Sequence, residues 1–200
     1  MTKTETVATK RRPPTSEGPQ APGRFVVAVG VLVALWCVGF AAISIWFELT
    51  DYFGTGQYAQ DATAISVMNW FVAVLKSIGA AAALLAIHRR LVVPRTVGTL
   101  LWAAFATLTV YVVGAITEAV GMLTGLAGDA DRVGARSIAY LLAFLLAATG
   151  FGIVAISHAR RAGLSTRVKV LGACGAPFVL GTVLVILPAI LRAVGLLSAA

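Results

Sequence analysis

The sequence predicts an all-α, polytopic membrane protein: a bundle of five transmembrane helices behind a disordered N-terminal tail. Three observations carry that prediction. First, of 200 residues 59% are hydrophobic and 12% charged, and the mean hydropathy is +0.91. An ordinary soluble domain has about 45–50% apolar and about 25% charged residues. A chain of this size cannot fold that much apolar surface into its own interior, so lipid must cover the remainder. Second, the apolar residues gather in five stretches of roughly 20 or more residues, the length that carries a helix across a ~30 Å hydrocarbon core. Third, short basic clusters fall in every second connector, which gathers them on one side, the pattern of the positive-inside rule. The spans are helices because an open strand would leave backbone groups unpaired in lipid.

Taken in order, residues 1–23 are rich in Thr, Pro, Gly and charge and poor in apolar side chains. They bury too little to offset their ordering entropy, so a disordered tail is expected there and a transmembrane domain over 24–200. Lys10, Arg11, Arg12 and Arg24 precede an apolar run as in a signal peptide. That run is too long for a typical signal core and no convincing small-residue cleavage site closes it, so it reads as a retained anchor. Span 1, about 25–47, is uncharged and ends in Trp46 and Phe47, with Tyr52, Phe53 and Tyr58 following. Aromatic rings collect at the membrane interface. The connector 48–61 holds Glu48, Asp51 and Asp61 and no base.

Span 2, about 62–87, ends at His88-Arg89-Arg90, and Pro94 stops helical continuation. Span 3, about 96–120, carries Trp102 and Tyr111, with Glu118 near its far end. A glycine- and acid-rich loop over 121–136 leads to span 4, about 137–157, which His158, Arg160, Arg161, Arg167 and Lys169 follow. Span 5, about 168–191, contains Pro177 and Pro188, which should bend it.

The net charge of +8 does not point to nucleic acid, because the bases form no continuous face. Twelve of the 16 Lys and Arg residues (Lys3, Lys10, Arg11, Arg12, Arg24, Arg89, Arg90, Arg95, Arg160, Arg161, Arg167 and Lys169) fall on one side of the five-span topology. Arg132, Arg136 and Arg192 fall on the other, and Lys76 lies within a span. The bias predicts a plasma-membrane protein with its N-terminus in the cytoplasm and its C-terminus outside. The basic clusters Arg89, Arg90, Arg95 and Arg160, Arg161, Arg167, Lys169 should meet anionic lipid headgroups at the cytoplasmic face. A second copy or another membrane protein is the further partner class.

Catalytic chemistry finds no footing. The sequence has no G-x-S-x-G, H-E-x-x-H, P-loop or dinucleotide fingerprint. Cys37 and Cys174 lie in apolar spans without a C-x-x-C or a histidine pair, so neither a disulfide framework nor a metal or other cofactor is expected. His88 and His158 sit beside arginines at helix ends and read as interface residues. Gly121 and Gly125 match G-x-x-x-G but adjoin a glycine-rich loop, where a turn is the better use. Both basic connectors read Ala-Ile, a histidine, then an Arg pair. Spans 2–3 and 4–5 would then be parallel repeats, although positive-inside selection on a restricted alphabet produces the same look.

The expected intramembrane polar site is on span 2. Ser66, Asn69, Ala73 and Lys76 share one helix face, and an ammonium at that depth is costly and rare. The face should point into the bundle, with Tyr111 and Thr107 of span 3 as neighbours of Lys76. Glu118 is the obvious counter-charge, yet it falls about ten residues, roughly 15 Å, further out along span 3. Its depth favours reading it as a plain outer-interface glutamate. The candidate site is therefore Ser66, Asn69, Lys76, Tyr111 and Glu118.

The Ala/Val/Leu/Gly/Arg-rich alphabet and the Pro/Thr-rich basic tail make the chain resemble the small, uncharacterised multi-pass membrane proteins of high-GC actinobacteria. The resemblance is one of composition over the whole chain. It rests on no motif, implies no activity and transfers no functional residue. The function expected from the sequence is that of a non-catalytic accessory or assembly subunit. The alternative is a small secondary transporter, or an ion- or proton-conducting unit, that uses Lys76, Asn69 and Glu118.

Overall fold

The computed structural model describes residues 21–126 and 134–195. The expected disordered tail falls almost wholly outside the described residues, as do Asp129, Asp131 and Arg132 of the acid-rich loop. Helices and turns make up the rest, and no strand occurs among the described residues. The elements are α1 (Arg24–Leu49), two short 3-10 turns (Tyr52–Gly54 and Gly56–Asp61), α2 (Ala62–Ile87), α3 (Pro94–Leu123), α4 (Ala135–Arg161), α5 (Thr166–Gly181), a π turn (Thr182–Ile186) and α6 (Leu187–Ala193). Four of them, α1 to α4, are long and apolar enough to cross a membrane.

The fifth expected span is built differently from the other four. Over 168–191 the chain is helical but made of three pieces. Pro177 lies inside α5, where it has no N–H to give and its ring crowds the carbonyl four residues back. Pro188 sits in the first turn of α6, and just before it the ladder widens to a π turn closed by Leu187 N–H on the Thr182 carbonyl.

The helices run up and down through short connectors. The α1–α2 register is fixed by close approaches along its whole length. Gly30 meets Ile87, Cys37 meets Gly79, and Ser44 meets Asn69. On α3, Gly172 and Gly175 of α5 rest against Thr99, Trp102 and Ala103. A Cβ on Gly172 would lie 2.7 Å from the Thr99 carbonyl oxygen and from Trp102 Cβ, so only glycine lets these backbones approach. Small residues perform the same service on α2 and α4, where Ala80, Ala82, Ala83, Ala86, Ala155 and Ala159 are all buried. The core joins all of these but Ala159 to Val33, Cys37, Leu101, Phe151 and Val154.

This core is displaced toward the Arg-rich end of the bundle. The buried residues of α4 all lie between Ala147 and Ala159, and three of the four on α3 are Val97, Gly98 and Leu101. Beyond them α3 and α4 stop packing tightly against each other.

Candidate intramembrane site and adjoining cleft

The polar face of α2 lies against α1. The Ser66 hydroxyl donates to Glu48 Oε2. The Asn69 amide donates to Glu48 Oε1 at 2.6 Å and to the Ser44 carbonyl at 2.8 Å. One turn deeper Ala73 is buried, and Ser77 Oγ returns to the Ala73 carbonyl at 2.9 Å. Lys76 Nζ lies 4.3 Å from the centroid of the Phe40 ring, a cation–π contact. These partners follow from spacing, because Phe40, Ser44 and Glu48 are four residues apart and share one face of α1.

The carboxylate that answers Asn69 and Ser66 is therefore Glu48, which the sequence reading placed in a connector. It belongs to the last turn of α1, because that helix runs to Leu49, where Thr50 Oγ1 caps the Trp46 carbonyl at 2.9 Å. Asp51 then turns the chain with a left-handed φ of 48°. The signal that would have found Glu48 is its four-residue spacing from Ser44 and Phe40.

Tyr111 and Glu118 are elsewhere. With Phe40, Tyr140 and Phe144 they line a cleft of about 520 Å³ where α3 and α4 part. Aromatic rings meet beside it: Tyr111 tilted on Phe144 with centroids 4.6 Å apart, Trp36 edge-on to Phe144 at 5.2 Å, and Trp36 tilted against Phe40 at 4.7 Å. Phe40 is the hinge between the two regions, since it meets Lys76 and also lines the cleft. Glu118 is exposed and has no polar partner among the described residues. The five residues proposed as one site thus divide into a clamp on α1 (Ser66, Asn69 and, two turns deeper, Lys76) and a cleft (Tyr111 and Glu118).

The Arg-rich end carries a third cluster. His158 is 1% exposed and its Nε2 donates to the Pro94 carbonyl at 3.0 Å. Arg161 donates to the carbonyls of Ala86 at 2.9 Å and His88 at 3.1 Å, closing the C-terminus of α2. The two histidines look alike in sequence but differ in place. His88 is an exposed residue just past α2, whereas His158 is a buried residue inside α4, because α4 continues to Arg161. Nowhere among the described residues do three His, Cys, Asp or Glu side chains gather as a metal centre would need.

Comparison with known proteins gives no relative from which a role could be carried over: no family model, no curated protein and no solved structure matches the chain.

Proposed function

We propose that the protein is a non-catalytic, multi-pass subunit of the plasma membrane that works by assembling with another membrane protein or a second copy. In this reading α5, the π turn and α6 together form the fifth span, since they continue without a break from Thr166 to Ala193. The N-terminus lies in the cytoplasm, because the ends of α2 and α4 and the starts of α1, α3 and α5 carry the Arg-rich segments.

The observation that carries the proposal is the fate of the polar groups on α2. Ser66 and Asn69 are taken up by Glu48 and Ser44, Ser77 by its own helix, and Lys76 lies on Phe40. A conducting path needs polar groups with free valences along a continuous track. This seam instead ties α1 to α2, the structural use of intramembrane polar residues. Extraction of native membranes in mild detergent tests it. The expected result is a stable complex with a stoichiometric membrane partner or a second copy. A lone 20.7 kDa chain whose proteoliposomes pass protons or ions, with the flux abolished by Lys76→Leu or Glu118→Gln, overturns it.

A second reading, a small carrier or ion-conducting unit, draws on one observation. Glu118 lines the cleft beside Tyr111 and has no partner among the described residues. An unpaired carboxylate beside an aromatic-lined cavity is a fitting place for a cation to pause.

A further inference from the structure

A further cavity of about 460 Å³ lies at the Arg-rich end between the start of α1 and the end of α4. Its lining changes character along the direction of the helices. Val26, Ile153 and Ile156 form the part toward the middle of the bundle, while Ser157, Arg160 and Arg161 share the part toward the helix ends with the uncharged residues 21–23 before α1. Among the described residues no carboxylate lines it. An apolar floor under a cationic rim, ordered along the membrane normal, is the shape of a phospholipid seen from the protein. The volume falls in the range of about 300–1,000 Å³ typical of ligand sites.

Two donors in this lining have no partner among the described residues. The helical hydroxyls of Ser77, Thr99, Thr109, Thr117, Thr149 and Thr182 each donate to the carbonyl four residues back. The half-buried Ser157 hydroxyl makes no such bond and meets no other acceptor among the described residues. The Arg160 guanidinium is likewise unpaired among them, whereas its neighbour Arg161 is held by the Ala86 and His88 carbonyls. A guanidinium presents a planar fork that matches two phosphate oxygens. The first turn of α1 adds to the local positive potential, since it has no side-chain cap and no acidic residue.

We propose that this cavity is a binding site for an anionic phospholipid. Arg160 and Ser157 hold its phosphate, and Val26, Ile153 and Ile156 meet the upper part of its chains. The proposal needs α1 and α4 to span the bilayer and is independent of whether the protein assembles with a partner.

The test is a titration of the full-length protein, followed by native mass spectrometry, with phosphatidylglycerol and with phosphatidylcholine of the same chain length. Arg160→Gln should weaken phosphatidylglycerol binding about tenfold, and Ser157→Ala about threefold, from the worth of charge-assisted and neutral hydrogen bonds. The like-for-like control is Arg167→Gln, which removes the same charge from an exposed position at the same end but off the cavity. It should leave binding within about twofold, since scattered surface charge adds little site-specific affinity. Unchanged thermal unfolding of Arg160→Gln checks that its fold is intact. Equal losses for Arg160→Gln and Arg167→Gln, equal binding of the two lipids, or glycerol phosphate binding as tightly as the lipid would each overturn the proposal.

Discussion

At the Arg-rich end of the bundle, α4 reaches across and closes the connector between α2 and α3. His158 bonds Pro94, Arg161 holds the last carbonyls of α2, and Leu164 is buried against Gly98. At the other end α1 and α2 are still joined, through Glu48, but α3 and α4 diverge around an open cleft. The chemistry of the side chains accounts for the difference. In a bilayer, apolar bulk gives helices no reason to pack, because lipid is as apolar as leucine. Close packing needs small residues that let backbones approach, or polar groups that must find partners. The second half of α4 offers Ala147, Ala148, Gly150, Gly152, Ala155 and Ala159, all buried. Its first half offers Ile138, Tyr140, Leu142, Leu145 and Leu146, all exposed.

The sharpest break in this contrast should come from His158→Ala. The change removes a buried ring and a hydrogen bond from the tie between α4 and α3. An expected loss of about 2–4 kcal/mol follows from cavity formation and the lost bond. Reversible unfolding in mixed micelles measures it, and limited proteolysis should show the α2–α3 connector opening first. A loss below about 0.5 kcal/mol, the range of an ordinary surface change, would mean that the Arg-rich end is no tighter than the other.

Glu48→Leu probes a tie at the opposite end and should cost less. It leaves Ser66 and Asn69 without their carboxylate partner. Cross-helix hydrogen bonds in membranes average about 0.6 and reach about 1.7 kcal/mol each, so about 1–2 kcal/mol is expected. In a double-mutant cycle with Asn69→Leu the two losses should be less than additive, since they share one bond. Full additivity would separate Glu48 from the polar face of α2.

Much of this was legible in the sequence, and what was missed has physical causes. The 3.6-residue period put Ser66, Asn69 and Lys76 on one face, and the structure turns that face toward a neighbouring helix. The neighbour was the difficulty. Counting depth back from the short α2–α3 connector compares α2 with α3 alone, but α2 packs chiefly on α1. Which of two sequence-adjacent helices a span prefers depends on where small residues meet, and Gly30, Gly79 and Ala73 settle that only once both helices are in register. Ending span 1 at its aromatics also cut Glu48 off from the helix that positions it. His158 does lie in the last turn of its helix, but a polar residue at the end of a span reads as solvated, and its burial shows only once the helix runs on to Arg161 and packs there. The π turn before Pro188 leaves no local sequence signal beyond the proline itself.

The finest resolution of the contrast comes from one substitution made twice. Ala155 on α4 is 0% exposed in the tight half, while Ala119 on α3 is half-buried on the wall of the cleft. Replacing either by leucine adds the same three carbons to a membrane helix, with the same small effect on helix propensity. At Ala155 the added carbons must displace packed neighbours, which costs about 1–3 kcal/mol. At Ala119 they enter a cavity of about 520 Å³ and displace only what fills it, so stability should change by no more than about 0.5 kcal/mol. The unfolding free energies of the two variants, measured in one lipid, read the difference between the halves directly. Should Ala119→Leu cost as much as Ala155→Leu, the cleft would have to be closed in the bilayer, and the space beside Glu118 would not be available to a ligand. A null effect at Ala119 together with a large one at Ala155 would place the uneven packing of this bundle in the protein itself.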